Sequence, residues 1–278
     1  MPLANVNGVN LYYEVIGDGL PLVFCHEFAG TYQSWAPQVK FFAHRYQVFT
    51  YNCRGFPPSD VPESASAYSQ DIIVEDLHQL LRHLGIKKAY VGGSSMGGAI
   101  ALSFGIAHPE IAKGLIIVAT GSGSSNRKEF EASLMGLVRQ LETTGWKDYA
   151  ERYGHDFNRI QLLRKDPQSW REFCDEMSGH SDKGSALVIE NVILKRPTIF
   201  ALEAQLKRLA VPALIMLGDE DERCIEPSLF LKRHLPSSGL VVFPQSGHAI
   251  NLEEPELFNR VVLDFLTMVE AGKWARQP

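Results

Sequence analysis

A serine set among glycines is the side chain of this sequence best suited to covalent chemistry. Ser95 is the central residue of the stretch 93–97, Gly-Ser-Ser-Met-Gly, which fits the pattern G-x-S-x-G. A β-prone apolar stretch precedes it and a small-residue helical pattern follows. The pattern therefore predicts a tight strand-to-helix turn that exposes the Ser95 hydroxyl near a helix N-terminus, where negative charge is favoured. The alternative is an ordinary Gly/Ser turn.

A serine hydroxyl needs a neighbouring base to become a nucleophile, and that base needs an orienting acid. In open parallel sheets the ligand site lies beyond the carboxyl ends of the strands, so both partners are expected in loops that follow strands. His248 comes after the last apolar strand pattern, 240–243, and directly before the final helical pattern. We therefore predict that His248 is the base. Four other histidines fall within predicted helices, where a solvated or core role is expected: His44, His78, His83 and His234.

The acid is expected between the serine and the histidine in chain order. Residues 218–222, Gly-Asp-Glu-Asp-Glu, directly follow the predicted strand 213–217. The loop after the preceding strand, 121–124, contains only glycine and serine and offers no carboxylate. Asp221 lies far enough into its loop to turn back towards the histidine, so it is the favoured acid. Asp219 is the second candidate.

The elements that must position these side chains follow from the hydrophobic pattern. Period-two alternation around Asn7-Gly8 predicts an antiparallel hairpin over residues 1–16. Continuous apolar runs predict buried strands at 21–26, 46–51, 115–120, 213–217 and 240–243, in addition to the strand that leads into Ser95. Helical spacing predicts helices at 31–43, 69–84, 226–234 and 254–269. Alternating strands and helices indicate a mostly parallel sheet with helices on both faces.

The stretch from Gly121 to about Pro197 differs from the rest of the chain. It lacks strand patterns, contains several helical segments and is rich in aromatic residues, so it is predicted to be a helical insertion between two strands. Most of its aromatic side chains are expected to pack the helices together, and a minority to form an apolar pocket wall. Residues 122–197 contain equal numbers of basic and acidic residues, so their bulk charge does not select a charged substrate.

Composition excludes several classes of partner. The 278 residues carry a formal net charge of −5, which argues against binding to nucleic acid or to an anionic membrane. No apolar run is long enough to span a bilayer, and the first residues lack the features of a signal peptide. The four cysteines have no C-x-x-C spacing, so free thiols and a cytoplasmic location are expected: Cys25, Cys53, Cys174 and Cys224.

Taken together, these motifs resemble the α/β-hydrolase family. The resemblance is carried by the serine elbow at Ser95, the Gly-x-x-Asp loop from Gly218 to Asp221, and the late Gly247-His248 pair. It extends to Arg54-Gly55 with Ser59 downstream and covers the whole chain. Among subfamilies the sequence is most similar to cofactor-free haloperoxidase-like esterases and 3-oxoadipate enol-lactonases.

The resemblance implies an α/β-hydrolase fold, with a mostly parallel eight-stranded sheet, helices on both faces and an inserted helical cap. The core domain would comprise residues 1–121 and 198–278, and the cap residues 122–197. It also implies a serine hydrolase that cleaves a carboxylic ester or lactone through an acyl-enzyme, with no metal or organic cofactor. The same catalytic group serves C–C bond hydrolases, thioesterases and perhydrolases, and a slow-turnover small-molecule receptor is the rival from another class. The expected partner is a small, largely apolar substrate, with a homodimer left open.

By the same resemblance, the oxyanion would be held by the backbone N–H groups of Met96 and Phe28. The family usually has glycine after the histidine of the second loop, whereas this chain reads His26-Glu27-Phe28. Two interpretations of Glu27 compete. In the first, it turns away and pairs with a nearby cation or backbone N–H. In the second, its carboxylate lines the site and repels anionic substrates or acts as an extra acid or base.

Overall fold

The computed structural model describes residues 2–274, and its central feature is an eight-stranded sheet. The spatial order is β1-β2-β4-β3-β5-β6-β7-β8, with the first two strands antiparallel to their neighbours and the others parallel. The strands are β1 Leu3–Val6, β2 Val9–Ile16, β3 Leu20–Cys25, β4 Tyr46–Tyr51, β5 Ala89–Ser94, β6 Ala112–Val118, β7 Ala213–Gly218 and β8 Ser238–Phe243. The predicted mostly parallel sheet is confirmed.

The register brings the carboxyl ends of the central strands to one edge of the sheet. Cys25 at the end of β3 pairs with Gly93 of β5, and Ser94 pairs with Val118 at the end of β6. All six residues of β5 are buried, as expected for a strand covered on both faces. At the far edge, the predicted hairpin turns at Asn7, where φ is 49°. The loops that follow β3, β5, β7 and β8 therefore meet above this edge.

Helices cover both faces of the sheet, as predicted, and each face has its own apolar cluster. On one face, Trp35 and Phe42 pack with Phe258 and Phe265. The helices of this face are α1 Ala36–Phe42, the short α11 Ile250–Glu253 and α12 Pro255–Glu270. The other face is covered by α2 Gln70–His83, α3 Met96–Ala107 and α10 Glu222–His234. No helix within residues 2–274 has the length and apolar character that crossing a membrane requires.

The chain between β6 and β7 is helical, as the sequence predicts. Its helices are α4 Arg127–Thr143, α5 Gly145–Gly154, α6 Ile160–Lys165, α7 Pro167–Ser178, α8 Asp182–Val188 and α9 Glu203–Arg208, with a π-helical turn at Ile189–Ile193. Their apolar side chains belong to the same cluster as those of α2 and α3. The division of the chain into a core domain and a cap at 122–197 stays a prediction.

One predicted helix has a different start. The sequence predicts this helix from Glu226 to His234. In the structure α10 begins at Glu222, and Pro227 lies inside it. Asp221 occupies the N-cap position but makes no side-chain cap hydrogen bond. Its carboxylate instead faces an imidazole, as described below.

Candidate active site

Ser95 occupies a sharp turn between β5 and α3. Its φ of 54° and ψ of −107° lie in a region that non-glycine residues rarely adopt, and such strain is concentrated at functional sites. The Ser95 N–H donates to the carbonyl of Val118 at 2.8 Å, and its own carbonyl accepts from the N–H of Ala99 at 3.0 Å. These bonds fix the turn on both sides. The Ser95 side chain is half-buried among fully buried neighbours, so the turn presents its hydroxyl.

The glycines around Ser95 are required by close backbone approach. A Cβ atom on Gly93 would lie 2.3 Å from the carbonyl carbon of Gly97. A Cβ atom on Gly97 would lie 2.0 Å from the carbonyl oxygen of Cys25, in β3. Any larger residue would therefore push α3 away from the sheet. The sequence pattern G-x-S-x-G is thus explained by helix-to-strand packing.

His248 and Asp221 form a buried hydrogen-bonded pair. His248 Nδ1 lies 2.6 Å from Oδ2 of Asp221, and the two side chains are 4% and 0% exposed. Because an ionised carboxylate can only accept, Nδ1 carries the hydrogen, and Nε2 keeps the free lone pair of a neutral ring. Burial by itself raises the pKa of Asp221, but the charge and hydrogen bond of His248 outweigh it and hold that pKa below its usual value. The carboxylate thus stays ionised.

The second acid candidate lies elsewhere in the same loop. Asp219 Oδ1 accepts from the backbone N–H of Ser246 at 3.1 Å, and so holds the loop that precedes the histidine. The backbone N–H of His248 donates to the carbonyl of Asn158 at 2.7 Å. Of the two candidates, the structure brings Asp221 to the imidazole.

Ser95 and His248 line one cavity, of about 130 Å³, together with Phe28 and Met96. Met96 is the first residue of α3, so its N–H has no acceptor within the helix. Phe28 lies in the loop after β3, and its side chain is 5% exposed. The two residues expected to supply oxyanion donors are therefore beside the serine. Of the aromatic residues in the helical segment, Phe130, Tyr149 and Tyr153 line this cavity.

Glu27 makes a buried ion pair with Arg159. Arg159 Nη2 lies 2.5 Å from Glu27 Oε2, and the side chains are 6% and 4% exposed. Burial alone would raise the pKa of Glu27, but the guanidinium of Arg159 outweighs it and holds that pKa below its usual value. The ion pair expected by the first interpretation is present, and Arg159, rather than Glu27, lines the cavity. An action of the Glu27 carboxylate on substrate stays a prediction.

His26 supports the same loop from inside. Its Nε2 accepts from the N–H of Cys53 at 3.0 Å, so Nδ1 carries the hydrogen and donates to the carbonyl of Glu27 at 2.7 Å. Burial lowers the pKa of His26 to about 4, which keeps the ring neutral. The loop that carries Phe28 is therefore held at Glu27 from two sides: the neutral imidazole of His26 binds the Glu27 backbone carbonyl, and Arg159 binds the Glu27 carboxylate.

Two groups of side chains in the described part of the chain have ligand atoms close enough for a metal ion. They are Glu75 with His78 and His108, and Asp221 with Cys224 and His248. Glu75 and His78 lie 3.0 Å apart and form a hydrogen bond, and Asp221 is engaged by the imidazole. These bonds account for both clusters, and no metal is assigned to either. The expectation that no cofactor is needed stays a prediction.

The sequence did not reveal the polar part of the cavity wall. Asn158, Arg159, Arg196 and Arg223 all line it. None belongs to a recognisable motif, and the equal numbers of acidic and basic residues in 122–197 conceal how the charges are distributed. A larger groove, of about 1100 Å³, lies between α1, α7 and α12, and its wall contains neither Ser95 nor His248.

Comparison with known proteins gives consistent matches over the full fold. A family model described as alpha/beta hydrolase fold matches residues 21–255. 3-Oxoadipate enol-lactonase 1 of Acinetobacter baylyi is 27% identical over 278 aligned residues, which cover 96% of this chain and 97% of that protein. A thermophilic esterase from Thermogutta terrifontis superposes with a TM-score of 0.87 at 24% identity, covering 97% and 99% of the two chains. The enol-lactonase from Burkholderia xenovorans LB400 gives 0.85 at 22% identity, covering 96% and 100%.

Proposed function

Because the chain belongs to the α/β-hydrolase fold family, as its sequence predicts, we propose that it is a serine hydrolase that cleaves a carboxylic ester or a lactone. One observation carries the proposal. His248 lines the same cavity as the strained Ser95, and its Nδ1 lies 2.6 Å from Oδ2 of the buried Asp221. The enol-lactonase and esterase names of the similar proteins support the choice of an ester or lactone bond.

In the first half of the reaction, Ser95 Oγ attacks the carbonyl carbon while His248 Nε2 takes its proton. The negative charge that develops on the carbonyl oxygen is held by the N–H groups of Met96 and Phe28. Asp221 stabilises the imidazolium and keeps the ring oriented. The C–O bond then breaks, the alkoxide leaving group takes the proton from His248, and the acyl group stays on Ser95.

In the second half, water replaces the alcohol. His248 removes a proton from the water as its oxygen attacks the acyl-enzyme carbonyl, and the same two N–H groups hold the oxyanion. The bond to Ser95 Oγ then breaks, and the serine recovers its proton from His248. A lactone follows the same steps, except that its alcohol stays attached to the released acid.

The experiment that tests the proposal uses two adjacent serines. Ser94 lies in β5, is buried, and its hydroxyl has no hydrogen-bond partner among residues 2–274, which makes Ser94→Ala a matched control for Ser95→Ala. We expect Ser95→Ala to lower kcat on 4-nitrophenyl butyrate or a γ-lactone by at least about 10⁴-fold, and Ser94→Ala by less than about threefold. Mass spectrometry of the quenched wild type should find the acyl group on Ser95. Equal turnover by both variants would refute the proposal.

A further inference from the structure

We infer that the substrate carries a carboxylate, bound in the cavity by the guanidinium groups of Arg196 and Arg159. This inference rests on the proposed function. It names the class of acyl group that the site takes, which is one that carries a free carboxylate away from the scissile bond. It starts from the charges that face Ser95.

The wall of the cavity carries an excess of positive charge. Arg159, Arg196 and Arg223 all line it, whereas Asp156 is the one acidic residue in the wall among residues 2–274. Arg159 is neutralised by Glu27, which lies behind it. Arg196 and Arg223 make no ion pair with any residue between 2 and 274. An anion would therefore meet uncompensated cations beside the reacting groups.

Two of these arginines each leave a buried nitrogen without a hydrogen-bond acceptor. Among residues 2–274, Nη2 of Arg159 contacts Glu27 while its Nη1 has no partner, and Nη1 of Arg196 likewise has none. A buried donor on a charged group that lacks an acceptor is costly, and structures rarely keep one without a reason. A carboxylate offers two acceptor oxygens and a negative charge, which matches guanidinium donors better than a neutral oxygen does.

Arg196, which is partly exposed but has a buried Nη1, differs from Arg54, a buried arginine outside the cavity. Arg54 makes a two-point contact with the carboxylate of Asp76, at 2.6 and 2.5 Å, and its role is structural. Arg196 has no such partner, and its charged neighbour is another cation, Arg127. Burial and Arg127 lower the pKa of Arg196 to about 10, so its guanidinium is still charged at neutral pH. Its charge is thus available to a ligand.

The inference differs from the largely apolar substrate that the sequence predicts. That prediction rests on equal numbers of basic and acidic residues in 122–197. The structure shows that the charges are not evenly distributed, because acidic side chains such as Glu131 and Glu176 do not line the cavity. Apolar groups such as Phe130 and Tyr149 do line it, so the rest of the acyl chain would be apolar.

The first test compares two esters with the same leaving group: neutral 4-nitrophenyl butyrate and mono-4-nitrophenyl glutarate, whose acyl chain ends in a carboxylate. We expect Arg196→Met to lower the ratio of kcat/KM for the glutarate ester to that for the butyrate ester by about 10- to 100-fold. Arg196→Lys, which keeps the charge but not the two-point geometry, should fall in between. Arg139→Met removes an exposed arginine of α4 that does not line the cavity, and should leave the ratio at the wild-type value. An unchanged ratio in Arg196→Met would overturn the inference.

A binding measurement separates this inference from the proposed function. In the Ser95→Ala background, calorimetry with monomethyl glutarate and with neutral methyl pentanoate reports the carboxylate contact without turnover. We expect tighter binding of monomethyl glutarate, and a loss of about tenfold or more on Arg196→Met. If no ester is hydrolysed but this preference is found, the function fails and the carboxylate site stands. If esters are hydrolysed and Arg196→Met does not weaken glutarate binding, the inference fails, because Arg196 then does not contact the carboxylate.

Discussion

The Glu27–Arg159 ion pair offers a quantitative test of how the loop after β3 is held. Glu27→Gln keeps the shape of the side chain and removes its charge, so Arg159 is left as a buried cation without a counter-ion. Both partners are less than a tenth exposed and lie 2.5 Å apart. Breaking a buried pair from one side costs about 3–5 kcal/mol, because the remaining charge is uncompensated. We expect Glu27→Gln to lower the free energy of unfolding by that amount at pH 7.

The same pair predicts a dependence on pH whose sign follows from the lowered pKa of Glu27. A carboxyl with a lower pKa in the folded state than in the unfolded state stabilises the fold above its ordinary value of 4.5, and that stabilisation is lost as the pH falls below it. Glu27→Gln imitates the protonated carboxyl. The difference in stability between wild type and Glu27→Gln should therefore be largest near neutrality and shrink at acidic pH.

The assay is urea unfolding followed by tryptophan fluorescence for wild type, Glu27→Gln, Arg159→Met and the double variant. Each single change leaves a buried charge, whereas the double change leaves none. We expect a coupling energy of about 2–3 kcal/mol, with the double variant more stable than the sum of the single effects allows. Additive effects, or a Glu27→Gln variant as stable as wild type at pH 7, would refute the reasoning that each single change leaves a buried charge without a counter-ion.

The further predictions concern the orienting acid, a buried carboxyl and two glycines. Asp221→Asn should lower kcat on 4-nitrophenyl butyrate by about 10³- to 10⁴-fold with little loss of stability, because the amide cannot stabilise the imidazolium of His248; a loss below tenfold would contradict the assignment. Burial raises the pKa of Glu176 from 4.5 to about 7, so the free energy of unfolding of the wild type should fall as the pH rises through that range. Glu176→Gln removes this dependence. In chemical unfolding, the stability of the variant minus that of the wild type should therefore be larger at pH 8 than at pH 4, by about 2 kcal/mol. Gly97→Ala should destabilise the fold by about 3 kcal/mol, because its Cβ would overlap a backbone carbonyl of β3. Gly136→Ala, on α4 where the added methyl group meets open space, should stabilise the fold by about 0.5–1 kcal/mol, and thermal melts of both glycine variants measure the two effects.

The parts of the fold that local pattern dictates could be predicted from the sequence. The apolar run of β5 requires burial on both faces, and the glycines at 93 and 97 are explained by contacts within one strand–turn–helix unit. His248 could be placed because strand ends in a parallel sheet share one edge. The choice of Asp221 over Asp219 depended only on position along one loop, and the structure brings Asp221 to the histidine.

The rest of the site depends on contacts that no local pattern encodes. Glu27 and Arg159 are separated by 132 positions, and their pairing is set by how the helical segment folds back over the sheet. The carbonyl of Asn158 that accepts the His248 amide is a backbone group, so its side chain gives no signal. The lack of an ion-pair partner for Arg196 within the described part of the chain cannot be seen in the sequence either, because it depends on which carboxylates lie nearby.

The long excursion of the chain between β6 and β7 has a thermodynamic consequence. Residues 119–212 leave the sheet at one strand and return at its parallel neighbour. The entropic cost of closing a connection grows only with the logarithm of its length. Compared with a crossover of about a dozen residues, this connection is longer by roughly three doublings, which adds about 2 kcal/mol to the cost of closure. Insertions or exchanges in this stretch can therefore remodel the wall facing Ser95 while strand register stays fixed. The arginines proposed to bind the substrate and the serine proposed to react with it thus lie in different portions of the polypeptide.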